Sequence, residues 1–330
     1  MLSIPMTATA KSGIRPVNIR HDLDGIADLI EVCFADNMDS LGRATVQEMR
    51  FFSRLGAFLW VARGLDSMIQ GLMHGFVWIE NERVIGNVSL YYAGYDHTWV
   101  IANVAVYPEY RGQGIASQLC EAAINRVLEW RGKTVILQVD AANDTAQHVY
   151  QRLGFRAERV FSRWYRSGNN RPPHSLENMP SITYPSFRES QAQYDLINIV
   201  RPTHRGGIGW LKPIRTSDFR FSLWRLLFQS FSPTAHETWI IRSHDSNRFD
   251  AMVKSESGFA ATSLRFDLFV HPEKQGELEK PLVNYVLRRA TDQFRGAITD
   301  HPDDDEYALQ VFEDYNFQLK RRLIHMRLEI

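Results

Sequence analysis

The sequence predicts an α/β (α+β) protein of two related units. Three observations lead there: strand and helix patterns alternate through the first half, a Pro- and Asn-rich break follows residue 166, and the end of the chain echoes the first half. At about 100–200 residues per domain, a chain of 330 residues also has room for two cores.

Ile14 to Arg20 reads as a short strand, and Asp22 as the N-cap of a helical pattern through Ile26, Leu29, Ile30 and Phe34. Thr45 to Leu55 and Phe58 to Met73 look helical or loop-like. Gly56 to Met73, with Phe58, Leu59, Trp60, Val61, Ile69 and Leu72, reads either as core helices or as a flap over an acceptor site. Gly75 to Glu80 and Val84 to Tyr92 are apolar, β-rich runs joined by the hairpin signal Asn81-Glu82, and Thr98 to Val106 is a third. A glycine-containing loop then precedes a long helical pattern through Ile115, Leu119, Ala122, Ala123, Val127 and Trp130. Strand Thr134 to Val139, helix Asp144 to Leu153 and strand Ala157 to Tyr165 complete the half.

Pro172, Pro173, Pro180 and Pro185, with Gly168, Asn169 and Asn170, suit an exposed linker. The expected division is a flexible tail over 1–13, a first domain over 14–166, a linker over 167–185 and a second domain over 186–330. Val106-Tyr107-Pro108-Glu109 returns as Val270-His271-Pro272-Glu273, and Ala146, Val149, Tyr150 and Phe155 return as Ala308, Val311, Phe312 and Phe317. A duplicated domain accounts for both echoes.

Composition excludes several classes. Apolar residues make up 44% and charged residues 23%, an ordinary globular balance. Lys plus Arg and Asp plus Glu both total 38, so no net field draws the chain to nucleic acid or anionic lipid, and neither partner is expected. The opening residues lack a secretory pattern, and Arg63, Asp66, Gln70 and His74 interrupt the apolar stretch Leu55 to Ile79; a cytoplasmic protein without a membrane span is the expectation. Cys33 and Cys120 fall in apolar helical patterns as small hydrophobes, and no His/Cys/Asp/Glu group has metal-ligand spacing.

The chemistry concentrates in Val104-Ala105-Val106-Tyr107-Pro108-Glu109-Tyr110-Arg111-Gly112-Gln113-Gly114-Ile115-Ala116: a strand, a turn with two glycines, and a helix start. Backbone N–H groups at a helix start are unpaired and, with the helix dipole, attract an anion, while Gly112, Gly114 and Ala116 leave room for a pyrophosphate. An ordinary loop after a strand explains a glycine pair equally well. Downstream, Asn143, Ala146, Tyr150, Gly154 and Phe155 form a second constellation.

Together the two segments resemble the GNAT acetyltransferase superfamily over roughly residues 14 to 166. Arg111, Gly114 and Ala116 match its coenzyme A signature Arg/Gln-x-x-Gly-x-Gly/Ala, and the Asn143 to Phe155 segment looks like its closing helix. The resemblance implies two GNAT-like domains, each a mixed, mostly antiparallel sheet flanked by helices. It implies acetyl-coenzyme A (acetyl-CoA) as cosubstrate and no metal. The pantetheine arm would pair with Val104 and Val106 on a splayed strand and touch Asn143. The N–H groups of Arg111, Gly112, Gln113, Gly114, Ile115 and Ala116 would hold the pyrophosphate, and N–H groups of the Val104, Ala105 and Val106 region would polarise the thioester oxygen. Tyr150 is the implied general acid, its phenol near pKa 10 handing a proton to the departing thiolate; packing beside Leu153 is its alternative role. For a base, Asn103 precedes the cofactor strand, where its amide orients a water, and Asp96 and His97 at the preceding hairpin are chemically suitable. Glu80 and Glu109 are weaker candidates. Trp164 and Tyr165 are expected to line the acceptor groove.

In the second half the positions of Arg111, Gly114, Ala116 and Tyr150 hold Gln275, Leu278, Lys280 and Phe312, with Leu278 expected to fill the phosphate space and Pro281 removing a donor. That half reads as a degenerate repeat. The layout is similar to mycothiol synthases, in which the second repeat is the active one. His204 to Gly209 reads as a flexible loop. The functional expectation is an N-acetyltransferase whose acceptor is a primary amine, on a small molecule or a protein N-terminus, acting as a monomer or weak dimer. The alternative is a non-catalytic acyl-CoA-binding or sensing module.

Overall fold

The computed structural model describes residues 12–35, 74–202, 216–219, 234–244, 248–258, 263–292 and 296–330, with 46, 47, 50 and 214 as isolated positions. Gly56 to Met73 (with its proposed core or flap), most of Thr45 to Leu55, and His204 to Gly209 lie outside these residues.

Strand β1 (Ser12–Pro16) leads into helix α1 (Ile19–Phe34). The cap is Asn18, whose side chain accepts the Arg20 N–H at 3.1 Å, and not Asp22. Asp22 lies inside the first turn, buried, and reaches backward: its carboxylate accepts the Asn18 N–H at 2.6 Å and grips the Arg15 guanidinium at 2.6 and 2.7 Å. An acidic residue in the first turn gives the same sequence signal as a cap.

β2 (Phe76–Glu80) and β3 (Arg83–Tyr92) form the expected hairpin, with Asn81 at φ 48° and Glu82 at φ 64°, the left-handed pair that a two-residue turn between twisted strands requires. β4 (Thr98–Val106), a 3₁₀ turn (Pro108–Tyr110), α2 (Ile115–Glu129), β5 (Thr134–Asp140), α3 (Asp144–Arg152) and β6 (Arg156–Arg166) follow. Helix α2 buries Ile115, Leu119, Cys120, Ala123 and Val127, one face at helical spacing.

The second half presents α4 (Ser190–Val200), β7 (Thr234–Arg242), β8 (Phe249–Gly258), β9 (Ser263–Val270), a 3₁₀ turn (Pro272–Lys274), α5 (Glu279–Asp292), β10 (Gly296–Pro302), α6 (Glu306–Asp314) and β11 (Gln318–Glu329). The elements recur in register: Val106 and Val270 end their strands and Ile115 and Glu279 start their helices. Thr134 and Gly296, then Asp144 and Glu306, open the next pairs.

By contacts the chain divides into two units. Unit 1 comprises the described residues through Gln138, then Asp144–Arg156 and Met326–Ile330; unit 2 comprises Val139–Asn143 and Ala157–His325. The strand order is β1-β2-β3-β4-β5 in unit 1 and β11-β6-β10-β9-β8-β7 in unit 2; β4 with β5 and β9 with β10 run parallel, while β1 with β2, β2 with β3, β3 with β4, β6 with β10, β8 with β9 and β7 with β8 run antiparallel. Most of β6, which the sequence assigns to the first domain, thus belongs to unit 2, where Trp164 sits opposite Thr299 on β10 and packs beside Phe312. Trp164 is therefore a core residue of unit 2 and not the wall of an acceptor groove. Unit 1 contains the chain's end instead: Thr134 Oγ1 donates to Glu329 at 2.8 Å and the Ile330 N–H to the Lys133 carbonyl at 2.9 Å. β6 and β11 are echoes of each other, so their patterns carry no information about which sheet each completes.

Candidate active site

Strands β4 and β5 pair only from Thr98 to Val100, opposite Thr134 to Ile136. Beyond Val100 they part. The cause lies on the other edge of β4, where the ladder with β3 steps from Ser89↔Ala102 to Asn87↔Ala105 and leaves Asn103 and Val104 opposite Val88 alone. Asn103 has φ 50°, a left-handed conformation that Asn tolerates better than most residues with a side chain. This β-bulge bends the strand away from β5 and opens a gap. The Asn103 carbonyl accepts the buried Asn87 Nδ2 at 2.9 Å, and Asn103 Nδ2 donates to Ser89 Oγ at 3.2 Å. Asn103, expected to orient a water, is thus first a backbone hinge. Asn87 and Ser89 escaped the sequence reading; the only signal was two polar residues two apart within an apolar strand.

At the end of β4 the chain turns through Pro108–Tyr110 into the exposed segment Arg111-Gly112-Gln113-Gly114. The Arg111 N–H donates to the Pro108 carbonyl at 3.2 Å, and its Nε to the Val106 carbonyl at 3.1 Å, which Cys33 Sγ also approaches at 3.4 Å. Arg111 therefore braces the turn and its own N–H is spent, one correction to the expected donor run. From Gly112 to Ser117 no N–H finds an acceptor among the described residues, and the next bond is Gln118 N–H to the Gly114 carbonyl at 3.1 Å. Gly112 and Gly114 sit at φ 77° and 76°, so both turn positions need glycine. Among the described residues a Cβ at Gly112 would meet nothing, and one at Gly114 only Gln118 Nε2 at 3.7 Å, so no described group crowds either glycine. Ile115 points its side chain into the core, leaving only its N–H to the site.

Tyr150 packs α3 against α2 near Cys120, edge-on to Phe155 at 5.9 Å between ring centroids. It is buried, yet its hydroxyl has no hydrogen-bond partner among the described residues. Burial pushes the phenol well above its ordinary value and the neighbouring Cys120 adds to this, so the expectation of a pKa near 10 is corrected upward. Burial likewise pushes Cys120 up to about 12. Both cysteines are free. Asn143 lies exposed at the turn before α3, its N–H on the Asp140 carbonyl at 3.0 Å. Asp96 and His97 are not brought to this region: they form the hairpin at the opposite end of β4, roughly 20 Å along the strand from Asn103 at about 3.3 Å per residue. Asp96 faces Lys133 at 3.6 Å.

The matching turn in unit 2 is filled by the chain itself. Gly276 (φ 84°) stands where Gly112 stands, but its N–H is taken at 2.8 Å by the carboxylate of Glu279, the residue in place of Ile115. Leu278, expected to fill this space, packs against the unit 2 core instead. Glu279 is fully buried, and burial pushes it up to about 7; Asp305 nearby raises it further, while backbone N–H groups of the turn pull it back. β9 and β10 also part after three residue pairs, Ser263↔Gly296 to Arg265↔Ile298. Across that gap lies Arg201, buried, donating to the Leu268 carbonyl at 2.9 Å and contacting His301 Nδ1 at 3.0 Å. Leu268 corresponds to Val104. His301 Nε2 faces Asp305 at 2.8 Å, so Nδ1 is the acceptor for the guanidinium.

Because Glu279 titrates higher in the folded chain than in the unfolded one, its contribution to stability is present below pH 4.5 and is lost as pH rises through about 7. Glu279→Gln keeps an acceptor for Gly276 without the charge. In urea unfolding it should match the wild type at pH 5 and exceed it at pH 8 by on the order of 2 kcal/mol. A variant less stable than wild type at pH 8 would refute the account.

Residues 43–155 match the model of the Acetyltransferase (GNAT) family. The chain is 33% identical over 98 residues to N-alpha-acetyltransferase 30 of Schizosaccharomyces pombe, covering 29% of this chain and 65% of that protein. The chain spans 33% to 65% of the length of the curated relatives it matches. A GCN5-related N-acetyltransferase from Sphaerobacter thermophilus superposes over 98% of this chain and 97% of its own with TM-score 0.63 at 15% identity. A tandem GNAT protein from the clavulanic acid biosynthesis pathway covers 96% and 98% with TM-score 0.58 at 13% identity. At such identities these likenesses concern the fold.

Proposed function

We propose that the chain is an acetyl-CoA-dependent N-acetyltransferase that carries one cofactor site, in unit 1, and transfers the acetyl group to a primary amine. The observation that carries this reading is the run of N–H groups from Gly112 to Ser117 that meet no acceptor among the described residues, over a glycine turn at the mouth of a splayed strand pair. Those donors and the α2 dipole suit a diphosphate. The gap beside Val104 suits the extended pantetheine arm. Bound acetyl-CoA would supply the electrophilic thioester carbonyl.

Tyr150 supports the chemistry through its hydroxyl, for which no hydrogen bond is found among the described residues. A phenol held above its ordinary value does not surrender its proton readily to a thiolate, so its role is to donate a hydrogen bond to the developing charge on sulfur. Losing one such charge-assisted bond costs about 1.5–3 kcal/mol, so Tyr150→Phe should lower kcat by roughly 10- to 100-fold. In unit 2 the equivalent space is taken by Glu279 and Arg201, and Phe312 replaces the phenol. The acceptor follows the relative's name: an α-amino group is the class proposed, on a peptide or a small molecule.

Calorimetric titration with acetyl-CoA, followed by mass spectrometry of an amine panel containing free N-terminal peptides, tests the reading. Saturable binding of one cofactor per chain and acetylated product are expected; absence of binding sinks it.

A further inference from the structure

β4 has one residue more than β9, and the register locates it. Val100 and Arg265 hold equivalent places beside β5 and β10, Val106 and Val270 close the two strands, and the odd residue between them is Asn103. In unit 2 the ladder of β8 and β9 runs without a shift, and the positions of Asn87 and Ser89 are Met252 and Lys254. The polar pair therefore accompanies the bulge, and both occur in the unit whose anion turn is open.

Asn87 is costly to keep. It is fully buried, and its Oδ1 has no partner among the described residues. What it does is hold the Asn103 carbonyl at 2.9 Å. In a trans peptide the carbonyl and the following N–H point in opposite directions. A carbonyl fixed toward β3 therefore turns the Val104 N–H away from β3, into the gap, where Val104 has no register partner on β3 or β5. Ser89, accepting from Asn103 Nδ2 at 3.2 Å, holds the same residue from its side chain.

We infer that Asn87, assisted by Ser89, is a positioning residue that aims the Val104 N–H at the thioester oxygen. The inference rests on the acetyltransferase reading above. A donor stabilises developing oxyanion charge strongly only when its direction is set before the reaction, and a peptide next to a left-handed hinge would otherwise rotate. Asn87 touches neither substrate nor reacting atoms; it acts through Val104.

Isotope-edited infrared spectroscopy of the full chain with acetyl-CoA labelled at the carbonyl carbon reads the hydrogen bond to that oxygen without turnover. The wild type is expected to lower the carbonyl frequency relative to free acetyl-CoA. Asn87→Leu, close in volume but without a donor, should return the band toward the free position and reduce kcat by roughly 10- to 50-fold, with acetyl-CoA affinity within about threefold. Ser89→Ala should move both readouts the same way by about three- to fivefold in rate, and it decides the matter if Asn87→Leu does not fold. An unchanged band and kcat in a folded variant that binds acetyl-CoA overturn the inference. A wild type that binds no acetyl-CoA overturns the acetyltransferase reading itself.

Discussion

Gly114→Glu is expected to weaken acetyl-CoA binding by roughly a hundredfold or more, a loss of about 3 kcal/mol, while leaving a folded protein. Two effects add. Gly114 is the N-cap of α2 at φ 76°, where a side chain costs about 1–2 kcal/mol. The larger effect is occupation: the new carboxylate would stand over the N–H groups of Gly112 to Ser117 and compete with any diphosphate. The molecule holds its own precedent in Glu279, which closes the equivalent turn of unit 2 by accepting the Gly276 N–H. Gly114→Ala separates the two effects, because it carries the strain without the charge and should lose only about tenfold. Calorimetry with acetyl-CoA, paired with a thermal melt, reads both; an affinity unchanged in Gly114→Glu would remove the turn from the cofactor site.

The turn was legible because its signals are local. Two glycines that must adopt positive φ, a proline opening a 3₁₀ turn and an apolar helical face all lie within about 20 residues, and each leaves a mark on residue type. Strand β4 lies where Thr98 to Val106 was expected, and the Asn81-Glu82 hairpin follows from the same kind of information. The bulge was not legible, since its marks on residue type, Asn103 and the polar pair Asn87 and Ser89, become a bulge only against the register of β3. Asp96 and His97 have the right chemistry, but a strand nine residues long carries them away from the hinge. Arg201 was invisible for another reason. It lies just after α4 and acts on β9 and β10, whose residues are 66 to 100 positions further along the chain.

Arg201→Ala should be among the most damaging single changes in unit 2, costing about 3–5 kcal/mol of unfolding free energy, because a buried charge network loses its cation. The guanidinium serves three acceptors from β9 and β10: the Leu268 carbonyl at 2.9 Å, His301 Nδ1 at 3.0 Å and Asp267 Oδ1 at 3.3 Å. It also lies over the Phe269 ring, 4.7 Å from the centroid. Burial lowers its pKa and Asp267 opposes that, as expected of a cation kept charged by its partners. Truncation would leave a cavity and unpaired acceptors at a gap that nothing else among these contacts spans. Arg201→Met fills much of the volume without supplying donors, so it should lose less than Arg201→Ala but more than a surface substitution, roughly 2 kcal/mol. Urea unfolding of the three proteins ranks them. If Arg201→Ala were as stable as wild type, the guanidinium would not be what holds β9 and β10 together in unit 2.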